Sequence, residues 1–116
     1  MINNPRKMNT MSANVNAGVL QALEMCADDK TVRVVVFTGA GDRAFCAGGN
    51  LEGGGASSGF RGQKGADKPP PTVRGAVRNL RHIATTSLIL HNSHFVSVAA
   101  VNGACAGAGL SWACVR

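Results

Sequence analysis

The stretch VRVVVFTGAGDRAFCAGGN, residues 32–50, decides between competing folds. Its opening run, Val32-Arg33-Val34-Val35-Val36-Phe37-Thr38, is β-branched and apolar apart from Arg33. Such a run predicts a strand buried on both faces, as in a parallel sheet. Gly39-Ala40-Gly41-Asp42 then signals a turn. Gly39, Gly41 and Ala44 fit GxGxxA, a variant of the dinucleotide-binding fingerprint. That fingerprint has to open a helix, because the pyrophosphate rests on the helix N-terminus. Here Phe45-Cys46-Ala47-Gly48-Gly49-Asn50 follows, and a second glycine turn is no helix interior. The dinucleotide reading fails on its own context.

Working outward, residues 12–29 carry Val15, Val19, Ala22, Leu23 and Cys26 at helical spacing, with Ser12 placed to cap the N-terminus. Residues 52–71 are rich in Gly, Ser and Pro and end in Pro69-Pro70-Pro71, which predicts a flexible surface loop. A second helix is expected from about Thr72, with Val73, Val77, Leu80, Ala84 and Leu88 on one face. Residues 95–101 read as a second buried strand, and Asn102-Gly103 turns the chain into another glycine loop. The order is helix, strand, loop, helix, strand, helix start, which is α/β, with no repeat at a fixed period.

The bulk numbers fit one small domain. The chain has 116 residues, 45% of them hydrophobic, enough for a core of modest size. The first residues, MINNPRK, lack the apolar run of a signal peptide, and no apolar run is long enough for a membrane span. A cytoplasmic protein without a membrane partner is expected. Cys26, Cys46, Cys105 and Cys114 form no CxxC pair, which predicts buried, reduced thiols. His91 and His94 are three apart, but no carboxylate or cysteine joins them, so no metal site is expected. The net charge of +6 comes largely from Arg61, Lys64, Lys68, Arg74, Arg78 and Arg81 and would attract polyanions, although a solvated basic face explains it equally well. With no tyrosine and few other aromatics there is no base-stacking platform, and nucleic acid is not the expected partner.

The second glycine loop lies in VNGACAGAGLSWA, residues 101–113. Gly109-Leu110-Ser111-Trp112-Ala113 comes close to the GxSxG nucleophile elbow, but an elbow serine sits directly at the strand end, and Ser111 lies well beyond Val101. Ser111 is expected in a helix. Taken together, the two glycine loops suggest another chemistry. Each can bring a bare backbone N–H close to a shared point, and two such donors on one oxygen form an oxyanion hole. The helix beginning near Ala108 would add its positive end. Ordinary packing glycines remain the competing explanation.

Three motifs, NNPRKMNTMSANV, VRVVVFTGAGDRAFCAGGNL and SVAAVNGACAGAGLSWA, occur in the order and spacing that resemble the enoyl-CoA hydratase/isomerase (crotonase) superfamily. The resemblance covers the front part of the family's domain. It implies an incomplete crotonase-like spiral of ββα units over residues 1–116, interrupted by the loop at 52–71. It implies an acyl-CoA thioester as partner, a family trimer or hexamer, and no cofactor beyond the coenzyme A of the substrate. The implied activity is hydration of trans-2-enoyl-CoA in fatty acid metabolism. The alternatives are enoyl-CoA isomerisation, or a truncated remnant without catalysis. By motif position the resemblance makes Gly49 and Ala108 the backbone donors, and it puts Arg6, Lys7, Met8, Ala47, Gly48 and Gly49 beside the CoA moiety. It also marks departures. Asn50 stands where the family usually has Asp, Ser111 where hydratases carry a catalytic glutamate, and Phe95-Val96 where Lys-Pro is frequent. A second catalytic glutamate would fall beyond Arg116.

Overall fold

The structure, a computed structural model, describes residues 1–50 and 73–115. The expected loop at 52–71 lies outside them, as do Arg61, Lys64 and Lys68. After a 3-10 turn at Pro5–Lys7, the elements are α1 (Ala13–Asp28), β1 (Val34–Thr38), β2 (Ala44–Cys46), α2 (Val73–Asn92), β3 (Val96–Ala100), β4 (Ala104–Cys105) and α3 (Ala108–Cys114). From β1 onward this is ββα twice over: β1-β2-α2, then β3-β4-α3. The second unit stacks on the first, strand for strand. β1 pairs with β3 in parallel, Val34 opposite Val96 and Thr38 opposite Ala100, and β2 pairs with β4. The chain therefore has the α/β, crotonase-like spiral expected from its motifs.

α1 starts where expected. Ser12 is extended, and its Oγ accepts the Val15 N–H at 3.2 Å, satisfying one of the orphan donors of the first turn. Val19 and Leu23 are buried, with Asn16 buried beside them, while Ala22 is exposed. The core gathers Ile2, Val19, Leu23, Phe37, Phe45, Leu90, Phe95 and Trp112. Phe37 meets Phe45 and Trp112 edge to face, with centroids 5.8 and 5.6 Å apart. Trp112 thus fastens α3 to β1.

Three expectations need correction. β1 and β3 are not buried on both faces. Phe37 lies inside, while Val34, Val36, Val96 and Val98 are 55, 57, 63 and 44% exposed. The parallel register puts these four valines on one side of the sheet, where no described element covers them. The docking face of α2 is also different. Val73, Val77, Ala84 and Leu88 are exposed, and it is Thr86 and Leu90 that are buried. Residues 86 and 88 lie about 200° apart around a helix, so Val73, Val77, Ala84 and Leu88 point away from the core, while the Leu80 side chain lies outside the described ones. Finally, only Cys46 of the four cysteines is buried, and Cys114 is exposed. Among the described residues no helix is long and apolar enough to cross a membrane, and no cluster of metal-ligating side chains occurs.

Candidate functional site

The two glycine loops meet. Each follows the short second strand of its unit: residues 47–50 leave β2, and residues 106–107 leave β4 and lead into α3. The Ala106 N–H donates to Cys46 O at 3.0 Å, holding the loops in register. Gly48 has φ +95°, and a Cβ built on it would lie 3.1 Å from Ala106 O and 3.6 Å from the Gly107 Cα. Gly107 has φ +52° and ψ −124°, a region closed to residues with a side chain. These dihedrals favour glycine at both positions, and at Gly48 the nearness of Ala106 O adds to the demand. Gly49 and Ala108 are the next residue along each loop.

A third segment supports the first loop. Residues 8–11 run beside 47–50, with Ala47 N–H to Met8 O at 3.1 Å, Met11 N–H to Gly48 O at 2.7 Å and Asn50 N–H to Met11 O at 3.1 Å. Met11 and Gly49 form a parallel bridge. In such a bridge the residues flanking Gly49 carry the bonds, so the N–H of Gly49 itself points to the opposite side. Among the described residues, neither the Gly49 N–H nor the Ala108 N–H has a backbone acceptor. For Ala108 this follows from its place as the first residue of α3.

The remaining sequence-derived site residues fall around this junction. Arg6 and Lys7 are exposed on the 3-10 turn, and Met8 is left-handed with φ +53° and accepts the Ala47 N–H through its carbonyl, which puts the end of that turn beside residue 47. Ser111 is exposed on α3, one turn after Ala108, and its N–H donates to Gly107 O at 3.2 Å. This is a helical position, not an elbow. The described carboxylates Glu24, Asp28, Asp29 and Asp42 belong to α1, its C-terminal end and the β1–β2 turn, and none lies on α3. Burial pushes the Cys46 thiol up from its ordinary pKa, and burial does the same to Cys105, its β-pairing partner. Asp29 is held low by hydrogen bonds from Thr31, Oγ1 at 2.7 Å and N–H at 2.9 Å.

Two residues that the motifs did not single out hold the first turn from opposite sides. Asn9 is fully buried, and its Nδ2 donates to Ala40 O at 2.9 Å and Ala44 O at 2.7 Å. Asn102 donates through Nδ2 to Gly39 O at 2.8 Å and Gly41 O at 2.6 Å, and it accepts the Gly39 N–H at 3.0 Å. The β1–β2 turn is thus tied both to the N-terminal segment and to the turn of the second unit.

The comparisons with known proteins agree with this architecture. The sequence profile of enoyl-CoA hydratase/isomerase matches residues 1–115. A curated relative, a probable enoyl-CoA hydratase of Mycobacterium leprae, is 33% identical over 94% of the chain. Among solved structures, a probable enoyl-CoA hydratase/isomerase from Mycobacterium abscessus superposes with TM-score 0.70 at 33% identity over 95% of the chain. A monofunctional enoyl-CoA isomerase from M. smegmatis does so with TM-score 0.64 at 29% identity, again over 95% of the chain. The chain spans only 34% of the M. leprae protein and 37% of each of the two structures. A family profile that matches almost the full length of the chain, together with its two stacked ββα units, establishes that the chain belongs to the enoyl-CoA hydratase/isomerase family.

Proposed function

We propose that the chain binds acyl-CoA thioesters, with the thioester oxygen held between the N–H groups of Gly49 and Ala108. The observation that carries this is the contact of Gly48 with Gly107, which brings together the two loops on which Gly49 and Ala108 are the next residues. When water adds to C3 of a trans-2-enoyl thioester, negative charge develops on the carbonyl oxygen. Preorganised donors at that oxygen stabilise the enolate-like transition state, each by roughly 3 kcal/mol in a well-formed site. Arg6 and Lys7 supply positive charge for the CoA phosphates. Coenzyme A enters as part of the substrate.

The reaction we propose for the site is hydration of trans-2-enoyl-CoA, in cytoplasmic fatty acid metabolism, with the family's homo-oligomer as the working assembly. Ser111 stands where the family's hydratases carry glutamate, and a serine hydroxyl is a poor acid or base at its own pKa. That observation favours a second reading, in which this chain binds the thioester but shifts its double bond or leaves it unreacted.

Crotonyl-CoA hydration, followed by loss of enoyl-thioester absorbance, separates these readings. Turnover would support hydration, and binding without turnover would support the second reading, since loss of a general acid/base costs ~10²–10⁴ in rate. The donor pair is tested by Ala108→Pro, which removes one N–H at a helix position where proline is tolerated. Calorimetry with an enolate-mimicking CoA analogue should record much weaker binding, while Ser111→Ala leaves binding nearly unchanged. The reverse pattern would reject the backbone donors.

A further inference from the structure

Asn9 carries a role that its sequence context does not announce. Met8 and Asn9 are consecutive non-glycine residues with positive φ, +53° and +52°. Each costs conformational energy that persists only where the surroundings over-determine it. Here the determinant is the Asn9 amide. Its two donated bonds go to Ala40 O and Ala44 O, and its Oδ1 accepts the Asn4 N–H at 2.8 Å. The residue is 0% exposed, so none of these groups can turn to water. On either side of Asn9, Met8 and Met11 make the three backbone hydrogen bonds that hold Ala47, Gly48 and Asn50. The β1–β2 turn therefore anchors Asn9, Asn9 anchors residues 8–11, and residues 8–11 orient the peptide that carries the Gly49 N–H.

We propose that Asn9 is a positioning residue for the Gly49 donor, an inference that rests on the donor pair proposed above. No other side chain fits the demand. Aspartate would turn a lone pair toward two carbonyl oxygens, glutamine is a methylene too long, and glycine keeps the left-handed backbone but loses the anchor.

The test compares Asn9→Asp and Asn9→Gly with the unaltered chain. Residue-resolved hydrogen exchange should record faster exchange at Ala47 and Asn50, with the amides of α1 and β1 still protected. The affinity of acetoacetyl-CoA, whose acidic β-ketothioester can present an enolate oxygen, relative to that of free CoA should fall about tenfold or more. A merely structural role would weaken both ligands alike and leave that ratio fixed. Unchanged exchange at Ala47 and Asn50 would overturn the brace. Faster exchange with an unchanged ratio would overturn the positioning role, and so would loss of protection throughout the chain in both variants. An Ala108→Pro variant run beside them keeps the two ideas apart. If it too leaves the ratio unchanged, the donor pair itself fails, and the positioning proposal with it.

Discussion

Gly48 and Gly107 sit in successive ββα units with their backbones in contact, and neither tolerates a side chain. Gly48 is limited by its φ of +95° and by Ala106 O, and Gly107 by its φ of +52° and ψ of −124°. Gly48→Ala and Gly107→Ala are each expected to destabilise the chain by about 1–3 kcal/mol. Urea unfolding followed by circular dichroism measures this. A neutral Gly107→Ala would mean that the loop adopts another conformation.

Two other glycines should respond in opposite directions. Gly18 lies exposed within α1, and a Cβ there meets nothing within 4 Å. Gly18→Ala is expected to stabilise by about 0.5–1 kcal/mol through helix propensity. A Cβ on Gly109 would collide with Cys46 O and come within 2.7 Å of the Cys46 Cβ. Gly109→Ala is therefore expected to destabilise by about 1–3 kcal/mol, because backbone cannot yield as a side chain does. Thermal melts of both variants decide the pair, and equal shifts of the same sign would contradict the packing of α3 on β2.

These contrasts also mark how far the sequence could be read. α1 was legible to its cap, because Ser12 and a helical apolar stripe act locally. β1 and β3 were legible from their β-branched runs, and the meeting of the loops from two glycine clusters placed after two strands. β2 and β4, at three and two residues, are too short for periodicity to register. The docking face of α2 was misread because spacing identifies a stripe but not the neighbour it meets, and the fully buried Thr86 lies on the other side. The two exposed valine rows were read as buried because β-branched content does not say how many faces are covered. Asn9 was illegible, because an asparagine in a short polar segment carries no mark of burial.

The cysteines should differ in reactivity. Cys114 is exposed and Cys46 is 0% exposed with a raised pKa, so iodoacetamide is expected to modify Cys114 first and Cys46 last. A raised folded pKa means that the contribution of Cys46 to stability is complete below the unfolded thiol pKa. It is lost as pH rises through the folded value. Stability should therefore fall on the alkaline side, and Cys46→Ser should flatten that fall. Peptide mass mapping and melts across alkaline pH check both.

Val34, Val36, Val96 and Val98 form an exposed apolar face. Contiguous apolar surface drives association, so the chain by itself is expected to form ill-defined oligomers. Replacing Val36 and Val98 by lysine should shift sedimentation toward the monomer without loss of helical signal. A sharp monomer peak for the unaltered chain would contradict this.

The pairing of β1 with β3 joins Thr38 to Ala100, which are 62 positions apart. During synthesis at about 5–20 residues per second, β1 would leave the ribosome roughly 3–12 s before its partner strand exists. Throughout that interval a valine-rich strand has an unsatisfied edge. The same strand-for-strand stacking that brings the glycine loops together thus leaves the nascent chain open to holding chaperones, and slower translation across residues 39–95 is expected to lower the yield of folded chain.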